Sequence, residues 1–202
     1  MKSREAVVSI VDHRADAVVV STMTAIKWLD QHDREGLNVA CVPLMGGAGA
    51  LGVGLAVARP ERNVLVLDGD GSLLMQLPSL VMAADVAAPN FVHFVFNNGV
   101  WFENLANIPT PGCGNVDFQA LARGAGFKRV FRFEHIEDLD RSLDQILDGA
   151  AATFVELVIE PEADGLWKEG NEQPDLHDFH FTRLGNEIKQ VREKLLEIDK
   201  RK

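Results

Sequence analysis

Short apolar runs alternate with segments of helical periodicity along most of the chain. Each run has the length of a buried strand and ends at polar or glycine residues, and the segments between the runs carry apolar residues at helical spacing. This alternation predicts a mostly parallel sheet with helices on both faces, a three-layer α/β/α architecture. Six strands are predicted, at residues 17–20, 38–45, 64–67, 91–96, 128–133 and 153–159.

The stretch from Val64 to Trp101 combines two of these strands with two polar turns. The first strand runs into the turn Gly69-Asp70-Gly71-Ser72, a helix is predicted over residues 73–86, and the second strand runs into Asn97-Asn98-Gly99. Parallel strands joined by a helix have their carboxyl ends at the same edge of the sheet, where open α/β sheets bind ligands. We therefore expect the two turns to face one ligand.

The residues of these turns favour a phosphate ligand held through a metal ion. Glycine on both sides of Asp70 permits close backbone approach, and a helix starting near Ser72 presents free amides and a positive dipole end. Asp70 is itself an anion, and two like charges at ~4 Å repel by about 4 kcal/mol at an effective dielectric constant of 20. A cation between them removes this repulsion, and carboxylate and asparagine oxygens suit magnesium.

Gly69-Asp70-Gly71, followed after 25 residues by Asn97-Asn98, resembles the signature of thiamine diphosphate enzymes. The resemblance implies the thiamine diphosphate-binding fold, and Mg²⁺ bound by the Asp70 carboxylate, the Asn98 side chain and the Val100 carbonyl. The alternative is a turn and an unrelated asparagine pair on a sheet that binds no nucleotide or cofactor. The residues that the resemblance assigns to the cofactor are Thr22, Met45, Gly46, Gly69, Gly71, Ser72, Asn98 and Val100.

A glycine-rich run, Gly46–Gly54, follows the second predicted strand. It contains the pattern G-x-G-x-x-G, and Asp68 follows at the end of the next strand, as in a dinucleotide-binding Rossmann domain. NAD binding would leave Asp70 and the asparagine pair unexplained, whereas the thiamine diphosphate hypothesis accounts for the glycines too. Thiamine decarboxylases have a small-residue helix here, and the resemblance places Met45, a polarisable side chain, under the thiazolium ring. An ordinary core methionine is the alternative.

Hydroxyl residues also follow the first predicted strand, in Ser21-Thr22-Met23-Thr24. A helix pattern begins at this point, with Ile26, Trp28 and Leu29 as candidates for its buried side. Two roles remain open for Thr22. It contacts the cofactor phosphates, or it is an ordinary helix cap.

Composition narrows the classes of function. The 202 residues, 47% of them apolar, are enough for one α/β domain with its own core. The formal net charge of -10 argues against nucleic-acid binding, which needs a basic surface. Cys41 and Cys113 are isolated, so no disulfide framework, zinc site or iron–sulfur site is expected. Without a signal-peptide pattern or a membrane-spanning run, we expect no membrane association and a cytoplasmic protein.

The chain beyond the asparagine pair carries less chemical information. Residues 109–114 are predicted as an irregular loop, and residues 160–180 as an acidic, proline-containing surface arm. His177 and His180 lie in this arm without further ligands, so a metal site there is not expected. Helices are predicted over 118–124 and 136–147.

The last segment, residues 183–202, is predicted to be an amphipathic helix with a narrow apolar seam. Whether the seam packs on its own domain or on a partner subunit is open. We expect a thiamine diphosphate-binding domain over residues 1–164 and a C-terminal arm and helix over 165–202. The seam consists of Leu184, Ile188, Val191, Leu195 and Ile198.

Three segments also resemble the small subunit of two-chain sulfopyruvate decarboxylase and the corresponding half of phosphonopyruvate decarboxylase: residues 3–23, the GDGSLLMQ turn and residues 116–127. The resemblance spans roughly residues 3–160 and covers only the module that holds the diphosphate. It implies a 2-oxo acid decarboxylase that releases carbon dioxide and an aldehyde. It also implies no catalytic residue in this chain: a separate pyrimidine-module subunit supplies the activating glutamate. The expected assembly is a heterodimer of dimers or larger, inactive without that subunit.

At three places the sequence departs from the pattern of that group. Residues 21–27 lack the glycine and the Arg-Glu pair of its TTG-x-TSRE segment, residues 104–107 replace a GGQ-type loop, and Gly47 stands where a histidine is common. In the family these positions lie near the reacting end of the cofactor. The identity of the acidic tail of the substrate is therefore left open by the resemblance.

Other functions share the same motifs. An acetolactate synthase-type carboligase would carry every one of them. A subunit of a 2-oxo acid:ferredoxin oxidoreductase would be expected to bring cysteines for an iron–sulfur cluster. From a different class, the chain could be a non-catalytic thiamine diphosphate-binding regulatory subunit.

Overall fold

The computed structural model describes residues 1–33, 36–42, 44–101, 103, 107–162 and 176–200, and of residues 176–181 the backbone only. Six strands form one parallel sheet: β1 (Val18–Ser21), β2 (Asn38–Ala40), β3 (Val64–Gly69), β4 (Phe91–Asn97), β7 (Arg129–Phe133) and β8 (Thr153–Val158). Their order is β2-β1-β3-β4-β8-β7, and every neighbouring pair is parallel. The predicted six-stranded sheet is confirmed. Two short strands, β5 (Val100–Trp101) and β6 (Ile108–Pro109), form a separate antiparallel ladder.

Helices cover both faces of the sheet, because apolar residues alternate between its two sides. In β3, Val64 and Val66 pack in one core and Leu65 and Leu67 in the other, which confirms the three-layer architecture. The first core is covered by α3, α5, α6 and α8, and the second by α1, α2 and α7. The helices are α1 (Ser3–Asp12), α2 (Met23–His32), α3 (Ala48–Ala58), α4 (Asp70–Met75), α5 (Pro78–Val86), α6 (Phe118–Ala125), α7 (Ile136–Ile146) and α8 (Leu176–Lys200).

Two predicted elements are wrong in extent. The helix predicted over 73–86 is two helices, because Pro78 has no amide proton to continue α4 and instead occupies the first turn of α5. The strand predicted over 38–45 ends at Ala40. Its neighbour β1 ends at Ser21, so the residues after Cys41 have no strand beside them with which to pair.

The apolar seam of α8 packs on the chain's own edge strand, which settles the choice that the sequence left open. Val191 and Leu195 are buried in the first core. The Glu187 carboxylate accepts a hydrogen bond from the Ala40 amide at 2.6 Å, and Arg183 forms two bonds to Asp30 at 2.6 and 2.7 Å. α8 therefore covers β2, whose unpaired edge would otherwise be open to other strands.

α8 also begins earlier than predicted, at Leu176, so the irregular arm predicted to residue 180 is wrong over its last residues. The helix has 25 residues, and its polar face is strongly charged. Among the helices of the described residues, none is both long and apolar enough to cross a bilayer.

The direction in which successive strands are added reverses between β1 and β3, which are neighbours in the sheet. From β1 the chain continues outward to β2, and from β3 it continues to β4 on the other side. Such a point leaves a crevice between the carboxyl ends of the two strands, where α/β folds bind ligands. The turns singled out from the sequence follow β1, β3 and β4, and therefore surround this crevice.

Candidate active site

A cavity of about 300 Å³ lies at this crevice. Of the nine residues predicted to bind cofactor or metal, all but Gly46 line it: Thr22, Met45, Gly69, Asp70, Gly71, Ser72, Asn98 and Val100. Gly46 lies directly behind the wall, since its amide donates a hydrogen bond to the Ser72 hydroxyl oxygen at 2.9 Å. Residues separated by almost 80 positions in the sequence thus meet at one concave surface.

Asp70 is the buried anion of this site, with 2% of its surface exposed. Its Oδ2 accepts hydrogen bonds from the Gly99 amide at 2.9 Å and from the Thr110 hydroxyl at 3.4 Å. Burial raises the pKa of Asp70 to about 6, and the hydrogen bonds from amides and from Thr110 only partly oppose this. Among the described residues no cationic side chain pairs with it. A bound cation would supply the charge that this carboxylate lacks.

The second asparagine of the pair faces the cavity, whereas the first faces away. Asn98 Oδ1 accepts a hydrogen bond from the Val100 amide at 3.1 Å, an arrangement that leaves a lone pair of the same oxygen free. Asn97 instead donates to Glu156 Oε1 at 2.8 Å on the other side of the strand end. Gly99 has φ +71, a left-handed conformation that turns the chain directly after the pair.

The glycine run is used for packing rather than for a dinucleotide. A Cβ on Gly52 would stand 2.3 Å from Val66 Cγ2, so this glycine allows α3 to lie close on the sheet. Asp68, the ribose ligand of the NAD alternative, is 1% exposed and bonds His93 Nε2 at 3.1 Å and the Gly69 amide at 3.0 Å. A carboxylate with both oxygens so engaged is poorly placed to bind ribose, which argues against NAD.

For Thr22 and Met45, the sequence left a purely structural role open as the alternative to a cofactor contact. Thr22 is the N-cap residue of α2, but its side chain makes no capping bond and instead donates weakly to the Leu67 carbonyl, at 3.4 Å. Met45 is 47% exposed, so it is not an ordinary core methionine. Both side chains are available to a ligand in the cavity.

Trp101 and Glu103 also line the cavity, and sequence reasoning did not include them in the site. The Trp101 indole nitrogen is buried and has no hydrogen-bond partner in the part of the chain that the structure describes, and a Cβ on Gly71 would stand 1.7 Å from it. Only glycine at position 71 leaves room for this ring. Their position shortly after the asparagine turn was a sequence signal that could have placed both residues at the site.

Burial of the Cys41 thiol in the wall disfavours the thiolate that a nucleophile requires. Burial, with a smaller effect of the Asp68 charge, raises the pKa of Cys41 to about 11. The site therefore contains oxygen donors, small residues and thioethers, a set that fits a metal-bound diphosphate with an apolar ring system. It contains no side chain poised for covalent chemistry among the described residues.

Some predicted features lie outside the described residues. Residues 104–106 of the loop that departs from the decarboxylase group are among them, and so are the side chains of His177 and His180. The backbone at both histidines is helical, in contrast to the irregular arm that was predicted.

Comparison with known families identifies the family to which this fold belongs. Residues 20–157 match the family model described as thiamine pyrophosphate enzyme, C-terminal TPP binding domain. The chain belongs to this family. The matched range begins in β1 and ends in β8, so it contains both turns and the whole cavity wall between them.

Two relatives are named as decarboxylases. The chain is 36% identical over 156 residues to phosphonopyruvate decarboxylase of Streptomyces viridochromogenes, covering 75% of this chain and 38% of that protein. It is 33% identical over 117 residues to sulfopyruvate decarboxylase subunit beta of Methanothermobacter thermautotrophicus, covering 58% of this chain and 59% of that subunit. The chain thus spans less than two thirds of the length of these relatives.

A solved structure shares the fold. The X-ray structure of a protein assigned as a thiamin diphosphate-dependent enzyme, isolated from Mycobacterium smegmatis, superposes with a TM-score of 0.69. The match covers 80% of this chain and 32% of that one, at 23% identity, and supports the architecture alone.

Proposed function

We propose that the chain is the thiamine diphosphate- and magnesium-binding subunit of a two-chain 2-oxo acid decarboxylase. The proposal rests on one observation above all: the buried Asp70 carboxylate, without a described cationic partner, shares a cavity with Asn98 and with the small residues of the glycine turn. Family membership supplies the cofactor class. Residues 1–164 would form the cofactor-binding domain, and residues 165–202 a C-terminal arm and helix, of which α8 covers the sheet edge.

In this proposal, Mg²⁺ is bound by the Asp70 carboxylate, Asn98 Oδ1 and the Val100 carbonyl. Magnesium prefers oxygen ligands and takes substrate phosphates as further ligands, which suits one carboxylate and two neutral oxygens. The diphosphate would contact Gly69, Gly71, Ser72 and Thr22. The Ser72 hydroxyl accepts from the Gly46 amide, so its own hydrogen is free to donate to a phosphate oxygen.

The chain's contribution to catalysis would be position and electrostatics. When bound, thiamine diphosphate supplies the carbanion and the electron sink that decarboxylation of a 2-oxo acid requires. Met45, which is half-exposed on the cavity wall, would support the ring system of the cofactor. The glutamate that activates the aminopyrimidine would come from a pyrimidine-module chain, so the active site would lie at a subunit interface.

The two-chain arrangement is supported by the relative whose name contains "subunit beta", to which this chain is 33% identical. Decarboxylation rather than carboligation is supported by the names of the relatives already given. A carboligase of the acetolactate synthase type remains the second candidate, because it would use the same site with the same residues.

Two measurements test the proposal. The chain alone should bind thiamine diphosphate in a calorimetric titration when Mg²⁺ is present, and much more weakly when it is chelated. Co-purified with a pyrimidine-module chain, it should convert 2-oxo acids to carbon dioxide and aldehyde, with no turnover by either chain alone. Acetolactate or acetoin as the main product from pyruvate would favour the carboligase, and cofactor binding without any turnover would favour a regulatory subunit.

A further inference from the structure

Most of the exposed wall of the active-site cavity is apolar. Three methionines, Met23, Met45 and Met75, line it, and each exposes between 41% and 48% of its surface. Trp101 contributes the largest ring of the wall. Thioethers and an aromatic ring form an adaptable apolar surface, which favours ligand groups that carry no charge.

Cations are missing from the segments that build this cavity. The sequence has no lysine or arginine between Arg34 and Arg59, and none between Arg62 and Arg123. The basic residue nearest in sequence to the described lining is Lys27, whose ammonium lies 4.3 Å from the centroid of the Trp28 ring and does not line the cavity. Sulfonate and phosphonate groups are normally bound by arginine and lysine, so this half of the site offers them no counter-charge.

A buried carboxylate makes the wall unfavourable to anions. Glu103 is 6% exposed and lines the cavity. Its Oε2 accepts a hydrogen bond from the Thr24 hydroxyl at 2.9 Å, and its Oε1 accepts from the Glu162 amide at 2.9 Å. Two neutral donors from separate segments hold it in place without neutralising its charge, and like charges repel strongly where water is excluded.

We infer that the substrate is a 2-oxo acid with an uncharged, mainly apolar side chain, and that Glu103 discriminates against substrates with an anionic tail. The inference rests on the proposed function and adds the substrate class. It separates this chain from the relatives named for phosphonopyruvate and sulfopyruvate, whose substrates carry a second anionic group. The first carboxylate of the 2-oxo acid is common to all of these substrates and does not affect the comparison.

The test is a substrate panel on the unmodified chain paired with its pyrimidine-module chain, at saturating Mg²⁺ and thiamine diphosphate. Pyruvate, 2-oxobutyrate and phenylpyruvate are compared with sulfopyruvate and phosphonopyruvate by kcat/KM for carbon dioxide release. At least one uncharged-tail acid should exceed both anionic-tail acids by tenfold or more. Equal or faster turnover of either anionic-tail acid overturns the inference alone. No turnover of any acid overturns the proposed function, and the inference with it.

A separate variant tests the role that we assign to Glu103. Glu103→Gln keeps the size of the side chain and one acceptor oxygen but removes the charge, and its new amide group can donate to the Thr24 hydroxyl oxygen. The variant should raise the ratio of kcat/KM for sulfopyruvate to that for 2-oxobutyrate at least threefold. Glu137→Gln, on the exposed first turn of α7, makes the same change of charge and should leave the ratio within experimental error. An unchanged ratio in Glu103→Gln, with its melting temperature retained, removes Glu103 as the discriminating residue.

Discussion

The Asp70 carboxylate accepts a hydrogen bond from the Gly99 amide at 2.9 Å, and this single contact joins the two turns on which the site is built. Asp70 follows β3 and Gly99 follows β4, the neighbouring strand of the parallel pair. The bond therefore sets the position of Asn98 and Val100 relative to the carboxylate. The proposed metal ligands therefore depend on the pairing of the two strands that carry them.

Replacing Asp70 by asparagine should remove magnesium-dependent cofactor binding. The change keeps the size of the side chain but removes the charge that we assign to the metal. Loss of an outer-shell partner of a metal costs roughly 10–100-fold in affinity, so loss of a direct ligand should cost at least about 100-fold. Calorimetric titration with thiamine diphosphate, with and without Mg²⁺, measures this.

Asp85→Asn is the matched control, because it makes the same chemical change at an exposed position of α5. Its cofactor affinity should equal that of the wild type. Wild-type affinity in Asp70→Asn would contradict the metal assignment.

Without metal, the stability of the protein should fall as pH rises through the range from about 4 to 6. The folded-state pKa of Asp70, raised by burial to about 6, lies above the ordinary value of 3.8. The folded state therefore binds more protons than the unfolded state in this range, and the free energy of unfolding declines as pH increases. A shift of this size corresponds to about 3 kcal/mol.

Urea unfolding of wild type and Asp70→Asn in chelator, at pH 4 and pH 7, tests this linkage. The variant has no carboxyl group to titrate at position 70. Its stability relative to the wild type should therefore rise by about 3 kcal/mol between the two pH values. Parallel pH profiles would show that the Asp70 carboxyl is not perturbed.

Gly71→Ala should destabilise the fold, because the added methyl group would stand 1.7 Å from the Trp101 indole nitrogen. Overpacking of this kind costs about 1–3 kcal/mol, which outweighs the helix propensity gained from alanine. Gly54→Ala in α3 meets no atom within 4 Å and should be neutral or stabilising. Urea unfolding of both variants compares the two. Equal effects would mean that Trp101 does not occupy the space above Gly71.

Arg183→Ala should loosen α8 from the edge of the sheet. Arg183 bonds both oxygens of Asp30 and also Glu187, whose other oxygen binds the Ala40 amide. Removing hydrogen bonds to charged groups costs about 2 kcal/mol, and hydrogen exchange should accelerate in β2. Arg192→Ala, at an exposed position of the same helix, is the control. Unchanged exchange in β2 would show that the helix is held by its apolar seam alone.

Much of the site could be predicted because its residues are close in sequence to strand ends. Asp70, Ser72 and Asn98 follow apolar runs directly, and parallel strands bring such positions to one edge whatever the rest of the fold does. Thr110 could not be predicted, since its bond to Asp70 depends on how a loop 40 residues downstream returns. The contact between Asp68 and His93 was missed for a similar reason: it depends on the register of β3 against β4.

Local chemistry and periodicity, readable in the amino-acid order, determined the layered architecture, the edge that carries the ligand site and the residues of its two polar turns. Tertiary packing alone decided that the apolar seam of the last helix covers β2, that Trp101 lies against Gly71, and that Glu103 is buried in the cavity wall. The physical reason is the distance along the sequence over which each kind of interaction acts. Strand length, glycine geometry and charge act over neighbouring residues, whereas burial and side-chain contacts depend on which distant segments the completed fold brings together.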